Sequence, residues 1–422
     1  MSPAIKCLIL LAVVAILFVT ELIPLAITAM GGAIAAGLLG LIPAKLVFSG
    51  LADSTVVLFA GMFVVGAAMF YTGLAQALGD KVVRLCGTSE NSLMFGLMMV
   101  GTVLSSCLSN TGTCACLLPV ALGICAAAKI PASRQLMPLA YACGWGGIIT
   151  MVGTPPNIIA NGALTNAGLQ GFGFFEFAWI GVPISVAGIL YMMFVGKHLL
   201  PKAELSADQD IEQEIEATST DSKKQMISGI ILAVCIIVMA LDLKAISLEM
   251  TAIIGALVCV LTGCLTEKQA YASIDWVTIF LFAGMMPISK AMETTGAGQL
   301  IADWTVALMG GSPSPMVVTA ILFAISCFMT QFMSNTASSA LLCPIGIAIA
   351  KQLGADPKAV VMAIGVAASC AFATPVGTPP CTLVLGPGGY KFMDYVKCGT
   401  GLVIVCFIVS LVVIPMVWPF FP

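Results

Sequence analysis

The sequence predicts an all-α polytopic membrane protein: an inverted repeat of five spans plus one re-entrant hairpin per half. Three observations lead there. Of 422 residues, 60% are hydrophobic and 9% charged, with mean hydropathy +1.09. A soluble domain carries about 25% charged residues, so this chain cannot clothe a water-facing surface and places most of its mass in the bilayer. Apolar segments then recur in one order in two halves offset by about 223 residues. Finally, Ser109-Asn110-Thr111 returns as Ser334-Asn335-Thr336, and each copy is followed by Gly-Thr-Pro-Pro, at Gly153–Pro156 and Gly377–Pro380. The internal spacings are 44 and 43 residues.

The first half reads as apolar segments over 7–23, 25–43, 54–74, 92–127, 136–166 and 177–197. The second reads as 228–242, 247–264, 276–292, 316–350, 358–388 and 398–418. The run from Cys7 to Val19 is taken as a retained helix rather than a signal peptide, because only Lys6 precedes it and a new apolar run starts after Pro24. A span needs about 20 residues. The fourth segment of each half is too long for one span, carries Ser-Asn-Thr in its middle and has a proline soon after, Pro119 or Pro344. Each is expected to be a hairpin with the tripeptide at its tip, since irregular backbone at membrane depth survives only where it packs in protein or lines a cavity. The fifth segments carry Gly-Thr-Pro-Pro in mid-run and should be broken helices.

Further matches support the repeat. Leu58–Met62 and Leu281–Met285 both read Leu-Phe-Ala-Gly-Met, Thr72–Asp80 aligns with Thr295–Asp303 at Thr, Gly, Gln and Asp, and Asp53 aligns with Asp275. The chain divides into a first repeat over 1–200, a polar cytoplasmic linker over 201–227 and a second repeat over 228–422. Five spans per half is odd, so the second copy must enter from the opposite face. With the linker inside, 11 of the 17 basic residues and both arginines fall in cytoplasmic loops, as the positive-inside rule asks. Both termini are then extracytoplasmic.

A polar break duplicated at matching positions of two hydrophobic halves points to a transporter's binding site. One copy of either motif could merely cap or kink a helix; two copies at matched spacing argue for more. A hairpin tip starts a helix whose free N–H groups favour an anion and ends another whose free carbonyls favour a cation. Ser, Asn and Thr add neutral oxygen ligands, suited to hard cations. Glycine lets backbone approach closely and two prolines free carbonyls from helical pairing. Other groups carry less. His198 sits at a segment end beside Lys197. Glu21, Asp53, Asp275 and Glu293 fall near segment ends, where interfacial or capping roles are expected. The 16 cysteines sit mostly in apolar runs with no zinc spacing, and a net charge of −3 gives no reason to expect a nucleic-acid partner.

The doubled motifs resemble the divalent anion/sodium symporter family of dicarboxylate, citrate and sulfate carriers, over essentially the whole chain. The resemblance implies no enzyme activity, no organic cofactor and co-transported sodium ions. It places a first sodium site on Ser105, Ser109, Asn110 and the Gly153 backbone, and a second on Thr330, Ser334, Asn335 and the Gly377 backbone. It places substrate contacts on Asn110, Thr111, Thr154, Ser334, Asn335, Thr336, Thr378 and Pro379. It also implies an elevator-type motion of a transport domain past a scaffold of the first three spans of each half, a homodimer through those spans, and location in a bacterial inner membrane. The expected substrate is a C4-dicarboxylate such as succinate, with sulfate or another oxyanion, or sodium-independent dicarboxylate exchange, as alternatives. Two departures stand out. An extra N-terminal helix of some members is not expected here, and the second break ends in Cys381 where the first has Asn157, which should weaken the polar network behind the second cation site.

Overall fold

The computed structural model describes residues 2–78, 81, 89–201, 221–241, 246–308 and 313–421, and the regular elements among them are all helical. Three helices open the first half: α1 (Pro3–Thr20), α2 (Leu25–Leu38) and α3 (Ser54–Tyr71). The long fourth segment is α4 (Glu90–Ser105), a short turn and α5 (Asn110–Ala128). The fifth is broken into α6 (Leu136–Gly146) and α7 (Pro155–Asn166), and α8 (Ala178–Leu199) closes the half. The second half repeats the order. It runs α9 (Ser222–Ala240), α10 (Leu248–Leu261), a short α11 (Glu267–Ser273), α12 (Trp276–Thr295) and α13 (Ala297–Leu308). Then follow α14 (Pro315–Met329), α15 (Asn335–Gln352), α16 (Pro357–Ala368), α17 (Pro379–Leu385) and α18 (Phe392–Val417).

The repeated residues make repeated local structure. Asp53 Oδ1 accepts from the Thr55 N–H at 2.8 Å, and Asp275 Oδ1 from those of Val277 and Thr278 at 3.1 and 3.2 Å, so the two aspartates cap the matching helices α3 and α12. Each of these helices ends on Thr-Gly. Thr72 and Thr295 donate back to the Ala68 and Ala291 carbonyls at 2.8 and 2.7 Å, and Gly73 and Gly296 both take φ 74°.

The glycine of each Leu-Phe-Ala-Gly-Met marks the crossing of the two halves. A Cβ on Gly61 would lie 2.7 Å from the Ala252 backbone, and one on Gly284 would lie 2.5 Å from that of Ala29. Accordingly α3 packs on α10 and α2 on α12. The exchange continues inward, with α7 against α15, α17 against α5, and α8 against α18. Such reciprocal pairing is what a two-fold relation between the halves produces.

The outer faces are apolar. Ile5, Ile9, Val13 and Ile16 on α1, Ile230, Val234, Ile237 and Leu241 at α9, and Ile404, Ile408 and Val412 on α18 are all exposed at helical spacing. Water would not tolerate such stripes, but lipid does. Six described helices are long and apolar enough to cross a membrane. At 14 residues, α2 and α10 rise only about 21 Å each, short of a ~30 Å hydrocarbon core. One boundary differs from expectation. Helix α9 starts at Ser222, ahead of the apolar segment expected from 228, because Asp221 Oδ1 accepts from the Lys223 N–H at 2.9 Å and caps it there. Most of the expected linker, 202–220, lies outside the described residues, as do Asp80, Arg84 and Lys244.

Candidate substrate and cation site

Both tripeptides and both breaks line one cavity of about 640 Å³. All eight expected substrate contacts are on its wall: Asn110, Thr111, Thr154, Ser334, Asn335, Thr336, Thr378 and Pro379. Helices α5 and α15 start at this wall, with Ser109 and Ser334 as their N-caps, so the free N–H groups of their first turns gather at one place, while α7 starts there on Thr154 with two prolines. The prolines of Gly-Thr-Pro-Pro occupy the first helical positions of α7 and α17, where a missing N–H costs nothing. The Thr154 and Thr378 hydroxyls make no capping bond, and both residues line the cavity. Phe59, Met62, Phe63 and Phe70 of α3 form the facing wall. Among the described residues, the charged groups of the lining are Glu21 and Asp275, with no lysine, arginine or histidine.

Behind each tip sits a compact oxygen cluster. One terminal atom of the Asn110 amide lies 2.7 Å from Ser105 Oγ and 3.1 Å from each of the Cys143 and Gly153 carbonyl oxygens. In the second half the Asn335 amide lies 2.7 Å from Thr330 Oγ, 3.3 Å from the Ala368 carbonyl and 3.0 Å from the Gly377 carbonyl. Ser105 Oγ also sits 2.7 Å from the Cys143 carbonyl, and Thr330 Oγ 2.6 Å from that of Ala368. Which amide end points inward is an assignment. With nitrogen inward, the amide donates to all three oxygens. With oxygen inward, one hydroxyl proton cannot satisfy two acceptors, and four oxygens crowd together unless a cation sits among them. Ser105 and Thr330 are fully buried, one helical turn before Ser109 and Ser334.

Ser109 and Ser334 line the cavity but make no hydrogen bond to the oxygen clusters. The Ser109 hydroxyl accepts from the Gly112 N–H at 3.1 Å and so caps α5.

The difference in spacing, 44 against 43, lies inside the breaks. The hydroxyl-to-carbonyl step is 38 residues in both halves, Ser105 to Cys143 and Thr330 to Ala368, so the first break carries the extra residue. Its backbone is held by Asn157, whose Nδ2 donates to the carbonyls of Thr150, Gly147 and Ile148 at 2.8, 3.2 and 3.3 Å. Cys381 cannot do this. Behind the second oxygen cluster the backbone is held from another place, by Gln331. Its Nε2 donates to the Cys327 and Cys370 carbonyls at 2.8 and 2.9 Å, and its Oε1 accepts from the Ala373 N–H at 2.9 Å. Sequence reasoning missed Gln331 and also Gly147, which leaves room for the Asn110 amide. Gln331 was findable, as a polar residue in an apolar run with no amide at the matching position of the first half, Ser106; Gly147 was not, being one of 42 glycines.

A second cavity of about 390 Å³ lies at the far ends of the same helices, between α12, α7 and α15, near Asn166, Glu293 and Lys351. Thr278 and Asn335 line the first cavity.

A polar chamber formed by two hairpin-type turns and two helix breaks, inside a lipid-faced helical body, defines a membrane carrier. The chain belongs to the CitMHS family, described as "Citrate transporter", whose model matches residues 15–245 and 237–421. It is therefore a transporter and not an enzyme. It is 32% identical to an uncharacterized transporter of Haemophilus influenzae, over 97% of this chain and 91% of that one. It is 24% identical to the sodium-dependent dicarboxylate transporter SdcS of Staphylococcus saprophyticus, over 95% and 84%. Its fold resembles the YdaH transporter of Alcanivorax borkumensis (TM-score 0.67, 16% identity, 99% of this chain and 98% of that one). It also resembles MtrF of Neisseria gonorrhoeae (TM-score 0.64, 15% identity, 98% and 94%).

Proposed function

We propose that this transporter imports a small dicarboxylate, with a C4 acid such as succinate as first candidate, together with sodium ions. The observation that carries the proposal is a chamber that offers an anion helix N-termini, hydroxyls and amides but no lysine or arginine. Moving charge across a membrane costs roughly 2.3 kcal/mol per elementary charge per 100 mV, so a bare dianion entering a cell that is negative inside faces about twice that. Two sodium ions in the Ser105–Asn110–Gly153 and Thr330–Asn335–Gly377 clusters would balance the two charges of the dianion. The name of the staphylococcal relatives agrees with this chemistry.

The cavities at opposite ends of α7, α12 and α15 favour alternating exposure. We take α4–α8 and α14–α18 as the moving body and the first three segments of each half as the fixed, dimer-forming scaffold of an elevator. We place the protein in a bacterial inner membrane, and the basic-residue bias favours an inverted topology there with the linker cytoplasmic and both termini outside.

Uptake into proteoliposomes, with and without an inward sodium gradient and with succinate, citrate and sulfate as competitors, tests the proposal. Sodium-stimulated uptake blocked by C4-dicarboxylates is expected. Gradient-independent uptake, or competition by sulfate alone, would refute it. Asn110→Ala and Asn335→Ala should each abolish uptake at normal expression, and parental uptake in both would remove the site assignment.

A further inference from the structure

The two breaks carry the same oxygen cluster but are held open by different side chains. In the first half the pin is Asn157, just after the prolines. In the second half the residue there is Cys381, and a thiol is a poor hydrogen-bond donor. The pin comes instead from the turn between α14 and α15. Gln331 is buried and both ends of its amide bond to backbone: the nitrogen to the Cys327 and Cys370 carbonyls, the oxygen to the Ala373 N–H. The Ala373 donor fixes the amide orientation, because an N–H must face the oxygen end.

The Gln331 backbone completes a relay. Its carbonyl accepts from the Thr374 hydroxyl, and that hydroxyl accepts from the Gly377 N–H at 3.1 Å. Gly377 contributes its carbonyl to the second oxygen cluster, and Thr330, next to Gln331, contributes its hydroxyl. Side chain and main chain of one residue therefore clamp the segment 370–377 against the turn. The first half has only the main-chain part of this clamp. Ser106 accepts from Thr150 through its carbonyl, but its hydroxyl turns back locally to the Val103 carbonyl at 2.7 Å.

From this geometry we infer that Gln331 is a positioning residue for the second cation site and sets the affinity of that site separately from substrate binding and from the first site. The inference rests on the sodium-coupled function proposed above. A neutral oxygen cluster has no formal charge to hold a cation, so its affinity depends on keeping its oxygens in place. Groups that orient ligands from behind commonly change ion affinity 10- to 100-fold when removed. Gln331 is not among the residues lining the cavity, so the anion has no direct contact with it to lose.

The test uses the full-length protein in proteoliposomes with two variants. Gln331→Met keeps length without donors or acceptor. Gln331→Asn keeps the amide but shortens its reach. The sodium concentration for half-maximal uptake should rise about tenfold or more in Gln331→Met. The KM for the dicarboxylate at saturating sodium should stay within about twofold. Sodium-dependent protection against thermal unfolding, which needs no transport, should shrink in both variants, because protection scales with ion affinity. Parental sodium dependence in both variants, or a change confined to the substrate KM, would overturn the inference. A parent protein whose uptake and thermal stability ignore sodium would overturn the sodium-coupled function itself, and this inference with it. The parent measurement alone separates that case.

Discussion

Gly147→Ala should disable the first cation cluster while sparing the fold. A Cβ at this position would lie 2.3 Å from Asn110 Oδ1 and 3.0 Å from both Cγ and Nδ2 of that side chain. Ordinary van der Waals contact begins at about 3.5 Å, so the overlap exceeds about an ångström. The atoms in the way are the end of a rotatable side chain rather than backbone, so the cheapest relief is for the Asn110 amide to swing away. Its contacts with Ser105 Oγ and with the Cys143 and Gly153 carbonyls, at 2.7, 3.1 and 3.1 Å, are then lost. Leaving buried polar groups unpaired costs about 1–3 kcal/mol, and each 1.4 kcal/mol is about tenfold in affinity. The sodium concentration for half-maximal uptake should therefore rise roughly 10- to 100-fold. Expression and elution as a folded species should change little. Counted back six residues from Gly153 and from Gly377, the matching position of the second half is Ala371, so Ala371→Gly is the control and should leave sodium dependence near parental. A Gly147→Ala protein with parental sodium dependence would refute the placement of Asn110 in a cation cluster.

Thr330→Val keeps the shape but removes the hydroxyl that faces Asn335 and the Ala368 carbonyl at 2.7 and 2.6 Å; sodium-dependent uptake should fall at least tenfold and Thr330→Ser should restore most of it. Gly61→Val and Gly284→Val force side chains into the Ala252 and Ala29 backbones, and both should abolish the folded, monodisperse protein seen by size-exclusion chromatography in detergent. Glu176→Gln removes the carboxylate that accepts from Trp418 Nε1 and the Gly173 N–H at 2.6 and 2.8 Å and pairs with Lys358 at 3.1 Å. Bonds to a charged group contribute about 1.5–3 kcal/mol each, so the thermal midpoint should drop by several degrees while sodium dependence is unchanged.

Much of this molecule was legible because the repeat forces one local solution to appear twice. Asp53 and Asp275 align because each caps a helix, the Thr-Gly pairs because each closes the same helix through a left-handed glycine, and Gly61 and Gly284 because each lets backbone cross backbone. The doubled Ser-Asn-Thr and Gly-Thr-Pro-Pro likewise meet in one cavity. What escaped the sequence were partners with no side-chain signature. The Cys143 and Ala368 carbonyls are backbone atoms, identifiable only once the turns and breaks are in three dimensions. Gly147 is one glycine among 42, and its role depends on where Asn110 points. Gln331 escaped because attention to matched positions passes over the residue that differs.

That last case shows how a duplicated site can drift without losing its geometry. The requirement common to both halves is a hydroxyl, an amide and two carbonyls at fixed separations, and those distances agree to within about 0.2 Å between the halves. No particular side chain is required to keep the broken segment open, provided its carbonyls and N–H groups are paired. One half meets that need from beyond the prolines with Asn157, the other from the turn with Gln331. The first break is also one residue longer, so the two supports need not be interchangeable. The clusters can thus match closely in their bonding distances yet differ in rigidity. For a site built from neutral oxygens, rigidity is what distinguishes a tightly held ion from a weakly held one. Under the proposed sodium coupling, the two clusters should therefore fill at different sodium concentrations.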